Sequence, residues 1–312
     1  MKIKKIVIFG YHEIANILID ELKTRKNLKI KLIVSDFEKI NSQNKTWYRD
    51  IILRSNQEKI KLVNAKKVTK KLLHAIEKIA PDYIFSCFSS IIFPKELISS
   101  ARIGCLNFHN SDLPKDRGRA APIFQKIYGR KIGCMSMHWI DEKIDTGRII
   151  DKEYFKIKKK DKIFDLYLKY NFAVQKLIHR NLNNICNGKI KKGFINETKG
   201  NYNKWDENKT PLIQFSTMNA NLIYNKVNAL SFPFKGAFFL YEKKKICVHE
   251  VKIVKSKTIS PAGKIIKIDN DGILIATKKN NILLQKLEFD KRLILASHLA
   301  FILKIKKGEV IG

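Results

Sequence analysis

Asn107, His109 and Asp145 are the side chains whose types and spacing suit group-transfer chemistry. Asn107 and His109 stand two apart on an extended, apolar segment, so both side chains leave the same face. Asp145 follows in the polar loop Asp141-Glu142-Lys143-Ile144-Asp145-Thr146-Gly147. Moving a small acyl group from one nitrogen to an amine passes through a tetrahedral species whose oxygen carries negative charge. An Asn amide and an imidazolium N–H can stabilise that oxygen, at about 3 kcal/mol per preorganised donor. The imidazole can also carry the proton lost by the amine towards the leaving nitrogen. A nearby carboxylate raises the histidine pKa and orients its ring. An Asn-x-His pair alone is weak evidence, because polar pairs at strand ends commonly serve structure.

Positioning such a trio takes strands and the loops that leave them. Residues 3–10 form an apolar run ending in Gly10, and the spacing of Ile14, Leu18, Ile19 and Leu22 predicts a helix. A second apolar run covers 30–34, helical spacing covers 67–79 before Pro81, and a further run covers 83–88. Strand candidates at 104–108 and 133–139, a short helix near 122–128 and a long helix over 163–185 complete the series. This alternation argues for an α/β, Rossmann-like, mostly parallel sheet, whose ligands sit at the carboxyl ends of its strands. The chain turns polar between Gly188 and Pro211, and we place a domain boundary there, giving domains 1–204 and 205–312. After a helix candidate at 220–230, short runs at 246–254, 264–268, 272–276 and 282–287 predict a small β-rich, OB-like module with a turn at Asp269-Asn270-Asp271-Gly272.

Bulk composition sets outer bounds. The 62 basic and 29 acidic residues give a formal charge of +33, a signal associated with nucleic acid. Only ten of the basic residues are arginine, and the lysines are scattered among Ile and Asn, a pattern of compositional bias more than of a phosphate footprint. The five cysteines are odd in number and never spaced Cys-x-x-Cys, so neither a disulfide framework nor a metal site is expected, and a reducing cytoplasm fits. The apolar run behind Met1-Lys2-Ile3-Lys4-Lys5 is too short for a signal peptide, and no membrane insertion is expected.

Residues 104–150 resemble the folate-dependent formyltransferase family. The resemblance rests on Asn107-x-His109, on Ser111-x-Leu113-Pro114-Lys115 leading to Arg117-Gly118, and on the Asp141–Gly147 loop. It continues through Ile223-Tyr224-Asn225-Lys226-Val227, Pro233-Phe234-x-Gly236-Ala237-Phe238 and Pro261-Ala262-Gly263-Lys264-Ile265, nearly the whole chain. It implies that Asn107, His109 and Asp145 are the catalytic trio and that N10-formyltetrahydrofolate is the co-substrate, with no metal. It also implies that Ser89, Ser90, Ile91 and Ile92 form one wall of the pterin site and that Ile140, Asp141 and Ile144 belong to the other. Relatives often carry arginine in the first of these loops, where this chain has serine.

Family members formylate methionyl-tRNA, glycinamide ribonucleotide or nucleotide-linked amino sugars. The Gly-Thr-Pro turn usual in the tRNA enzymes is replaced here by Phe9-Gly10-Tyr11-His12-Glu13-Ile14. That segment, Trp47-Tyr48 and Arg117-Gly118-Arg119-Ala120 are similar to the formyltransferase half of the enzyme acting on UDP-4-amino-4-deoxy-L-arabinose. An amino-sugar nucleotide is therefore the favoured acceptor, with Arg117 and Arg119 facing its diphosphate and Tyr11 and His12 at the acceptor site. Ordinary surface charge is an equal reading of the two arginines, and a structural role the stronger reading of His12. His138, between Met137 and Trp139, reads as a packed or hydrogen-bonded histidine. Methionyl-tRNA is the alternative acceptor, and a homodimer is compatible with the sequence. A hydrolase that releases formate and a non-catalytic RNA-binding module are further alternatives.

Overall fold

The computed structural model describes residues 2–37, 48–196, 198–256 and 260–311. It divides into two compact units. The first comprises Met1–Ala121, Ile132–Lys156 and Tyr167–Asn203; the second comprises Pro122–Lys131, Ile157–Leu166 and Lys204–Gly312.

In the first unit the apolar run of the amino terminus forms β1 (Lys4–Gly10), whose last five residues are buried. A run this continuous is what a parallel strand covered on both faces requires. Helix α1 (Glu13–Lys23) buries Ile14, Leu18, Ile19 and Leu22 on one stripe. Strand β2 (Leu28–Ser35), helix α2 (Ile51–Gln57) and the short β3 (Leu62–Asn64) follow. Helix α3 (Lys70–Ile79) begins three residues later than its spacing predicts, because the Thr69 side chain accepts from Leu72 N–H as an N-cap. It ends at Ala80, in the left-handed conformation, before Pro81.

Strand β4 (Tyr83–Cys87) is wholly buried, and helix α4 (Lys95–Ser99) leads to β5 (Gly104–His109). The sheet then takes β6 (Ile132–Trp139) and β7 (Ile149–Lys156), in the order β3-β2-β1-β4-β5-β6-β7. The pairings among β1 to β5 are parallel, and β6 and β7 are added antiparallel. One apolar cluster under the sheet joins Val7, Phe9, Leu32, Val34, Ile84 and Cys105 to Ile91, Phe93 and Leu97, with Ile140 packed against it. The long helix Ile163–Asn187, numbered α6 after α5 (Ala121–Ile127), is tied to this unit by Tyr170, which donates to Asn110 O at 2.9 Å.

The second unit is antiparallel. Its sheet runs β10 (Ile265–Asp269), β11 (Gly272–Ala276), β12 (Asn281–Phe289), β9 (Lys244–Val254), β8 (Ala237–Tyr241), with β13 (Arg292–Leu295) also paired to β12. Helix α7 (Ala220–Ala229) is capped by the Asn219 side chain, and α8 (Ala296–Ile302) follows β13. The turn expected at 269–272 is present: Asp269 Oδ1 accepts from Asp271 N–H, and Gly272 packs so closely on β12 that a Cβ would meet Leu284 O at 1.9 Å. Among the described residues no helix is long and apolar enough to cross a membrane.

Candidate active site

Strand β5 delivers Asn107 and His109 to one place, and the antiparallel β6 sets His138 directly across from Asn107 in register. The loop after β6 is pinched at its base: Trp139 N–H donates to Arg148 O at 3.0 Å, and a Cβ on Gly147 would meet Trp139 O at 1.8 Å. Only glycine permits that approach. Inside the loop Asp141 Oδ1 accepts from Thr146 Oγ1 at 2.6 Å and from Lys143 N–H at 3.2 Å. The loop thereby carries Asp145, in the left-handed conformation with φ of 54°, back to β5.

The three expected side chains converge. Asp145 Oδ1 lies 3.6 Å from His109 Nδ1 and accepts from Asn107 Nδ2 at 3.3 Å. Its other oxygen accepts from Gly118 N–H at 3.0 Å. His109 Nε2 lies 3.2 Å from Asp116 O; a carbonyl oxygen can only accept, so Nε2 carries a hydrogen. With the hydrogen on Nε2 engaged by Asp116 O, Nδ1 is the nitrogen that faces the Asp145 carboxylate. His109 and Asp145 retain 11% and 12% side-chain exposure, enough for a ligand to reach them.

His138 completes the group. Its Nδ1 faces Trp139 O at 2.7 Å and so carries hydrogen, which leaves Nε2 as the acceptor for Asn107 Nδ2 at 3.0 Å. Full burial, opposed by the carboxylate of Asp145, pushes its ring down to about 4, so it stays neutral at ordinary pH. The hydrogen-bonded histidine expected from the Met137-His138-Trp139 alternation is therefore also the group that fixes which way the Asn107 amide points. Its alternation with buried neighbours gave no sign of that role; the antiparallel pairing of β5 and β6 supplies it.

The loop between β5 and α5 is built around the same residues. Ser136 Oγ donates to Ser111 O at 2.6 Å, Ser111 Oγ donates to Lys115 O at 2.7 Å, and Lys152 Nζ donates to Leu113 O at 2.7 Å. Arg117 is half-buried and Arg119 exposed on this loop.

The two segments expected to hold the pterin share a base in the apolar cluster, to which Ile91 belongs and against which Ile140 packs. Ser89 Oγ accepts from Ile91 N–H at 3.2 Å and shapes the first segment; Ser90 is exposed. Ile92 and Ile144 stay 71% and 49% exposed, apolar surface of the kind a flat heteroaromatic ring covers. Asp141 spends its carboxylate on its own loop, leaving backbone groups to meet a ligand. These features fit a folate, and among the described residues no cluster of metal-ligating side chains is present.

Tyr11 and His12, expected at the acceptor site, lie in the core of the first unit. Both are buried, and His12 packs against Phe88, Tyr48 and Tyr167 at ring separations of 4.5, 5.0 and 5.6 Å. Burial holds the His12 ring at about 3, so it is neutral at ordinary pH. Trp47 lies outside the described residues.

Comparison with known proteins accords with this geometry. Residues 4–182 match the formyl transferase family and residues 207–300 its C-terminal domain. Methionyl-tRNA formyltransferase of Caldicellulosiruptor saccharolyticus is 29% identical over 98% of this chain and 99% of its own length. The bifunctional polymyxin resistance protein ArnA of Wigglesworthia glossinidia brevipalpis is 28% identical over 89% of this chain, which spans 42% of that longer protein. An N-formyltransferase from Helicobacter canadensis, solved with folinic acid and dTDP-3-aminofucose, shares the fold with a TM-score of 0.66 at 18% identity, covering 91% of this chain and 99% of its own.

Proposed function

Because this chain belongs to the formyl transferase family, whose chemistry is folate-dependent formyl transfer, we propose that Asn107, His109 and Asp145 catalyse transfer of a formyl group to the primary amine of a nucleotide-linked amino sugar. The observation that carries this reading is the convergence of Asn107 and His109, from β5, on Asp145 Oδ1 of the pinched loop, at 3.3 and 3.6 Å.

N10-formyltetrahydrofolate supplies the formyl carbon and, at N10, the leaving nitrogen; residues 89–92 and 140–145 would hold its pterin. Asn107 donates one amide hydrogen to His138, which fixes the amide, and directs the other at Asp145 in a longer 3.3 Å contact that a formyl oxygen placed beside it would share as that oxygen gains charge. His109 takes the proton released by the amine as the new C–N bond forms and returns it to the nitrogen that departs. Asp145 stabilises the charged imidazole meanwhile, and Gly118 N–H keeps the carboxylate in place. The exposed Arg119 and half-buried Arg117 neutralise the acceptor's diphosphate.

The second reading takes methionyl-tRNA as acceptor, and it is favoured by the near full-length relative of that name and by the charge of +33. Incubation with N10-formyltetrahydrofolate and parallel acceptors, methionyl-tRNA and a panel of UDP- and dTDP-linked amino sugars, separates the two by product mass. Formylated sugar is expected. Formyl-methionyl-tRNA would transfer the assignment to the second reading, and formate without acceptor would make the protein a hydrolase.

A further inference from the structure

Residues 198–203, part of a polar connection in the sequence, lie against the loop that carries the partners of His109 and Asp145. Asn201 Oδ1 accepts from Asp116 N–H at 2.9 Å, and Asn201 Nδ2 donates to Asp116 Oδ1 at 3.0 Å. Asn203 Nδ2 donates to the same carboxylate oxygen at 3.1 Å. The main chains join as well: Arg117 N–H donates to Asn201 O and Asn203 N–H to Arg117 O, both at 3.0 Å, a short parallel bridge between Arg117 and Tyr202. The Tyr202 ring covers Gly118 so closely that a Cβ there would meet Cε2 at 2.6 Å. Gly200 passes Pro114 with equal closeness, its missing Cβ 2.4 Å from Pro114 O.

The opposite side of the gripped loop faces the catalytic trio. Asp116 O accepts from His109 Nε2 at 3.2 Å, and Gly118 N–H donates to Asp145 Oδ2 at 3.0 Å. Asp116 is buried and left-handed, with φ of 55°, a conformation that an L-residue keeps only where its surroundings impose it. Two amide donors from one short segment converging on that single carboxylate are such an imposition.

We infer that Asn201 and Asn203 are positioning residues for formyl transfer: by gripping the Asp116 carboxylate they hold its carbonyl oxygen against His109 Nε2, which fixes the hydrogen on that nitrogen and aims Nδ1 at Asp145. The inference rests on His109 being the proton carrier of the proposed reaction. A displacement of about 1 Å in such a carrier is enough to slow a reaction by up to about 100-fold. A segment that served stability alone would leave the ring of His109 unchanged when loosened.

The test follows the His109 ring by histidine-selective 15N NMR through its titration, with its signals assigned by their loss in His109→Gln. Asn203→Asp removes one donor and sets a like charge against Asp116 at almost unchanged volume. It is expected to convert the His109 ring from the Nε2–H form to a mixture of tautomers, to displace its titration, and to lower kcat about 10-fold or more while KM for N10-formyltetrahydrofolate stays within about threefold. Adding Asp116→Asn recreates a donor and acceptor pair and should restore both readouts. Asn201→Ala should act in the direction of Asn203→Asp. Unchanged His109 signals in folded Asn203→Asp and Asn201→Ala proteins would overturn the inference. Absence of formyl transfer by the unaltered protein would instead overturn the proposed reaction, with the ring signals still deciding whether the grip exists.

Discussion

Two regions of the first unit carry a fully buried histidine beside a sheet strand, and they have been put to opposite uses. At β1 and β4, where the strand order reverses and open α/β sheets usually admit ligands, His12 is surrounded by the rings of Phe88, Tyr48 and Tyr167. At β5 and β6, His138 presents one nitrogen to a backbone oxygen and the other to the amide of Asn107. Burial keeps both rings neutral. The difference lies in the neighbours: three rings pack on His12, whereas His138 meets a backbone oxygen and the amide of Asn107. Residue type at a sheet edge therefore says less than the atoms its pairing partner brings.

The contrast breaks most visibly through the trio. Asn107→Ala and His109→Ala are each expected to lower turnover at least about 100-fold with folding retained, as loss of an oxyanion donor or proton carrier requires. Near-normal rates in both, measured on protein with unchanged circular dichroism, would remove the assignment. His138→Phe comes next. It keeps the bulk of the ring but leaves the Asn107 amide without its acceptor, so kcat should fall about 10-fold, with little change in the pH dependence near neutrality because the lost group was already neutral. A rate equal to that of the unaltered protein would return His138 to packing.

His12→Phe should do least to catalysis, leaving turnover within about twofold, and its effect is on stability. The His12 ring protonates near 6.5 when unfolded and only near 3 when folded, so the unfolded chain takes up the extra proton as pH falls through that window. Stability is consequently lost on acidification, by about 2 kcal/mol from this group between pH 7 and pH 5. Denaturant titrations at the two pH values should show a shallower loss in His12→Phe, while His138 continues to contribute in the same sense. An identical slope would mean that His12 is protonated in the folded protein.

Much of this was legible in the residues. Apolar runs such as 6–10 announce buried parallel strands, and the turn residues at 269–272 announce a hairpin. Asn107 and His109 could be paired from their spacing alone. Strand β7 was not legible, because Ile149–Lys156 alternates neither cleanly nor for long, its charged side chains being occupied by Arg180, Lys176 and Asp112. The antiparallel addition of β6 was also invisible, and with it the partnership of Asn107 and His138, since strand direction depends on connections and not on the pattern within a strand. Residues 198–203 have no periodicity at all; their hydrogen bonds go to Asp116 and Arg117, some eighty-five positions away, as the separations of the Asn201 and Asn203 contacts show.

The left-handed backbone of Asp145 bears on how this protein could change over generations. An aspartate held in that conformation costs of order 1 kcal/mol, a cost that glycine would not incur. Relief of backbone strain alone would favour glycine at the position, and the role proposed for the Asp145 carboxylate in turnover would oppose it. The loop is thus a point where robustness and activity pull in opposite directions, and drift in a lineage that no longer needed the reaction would be expected to show there early.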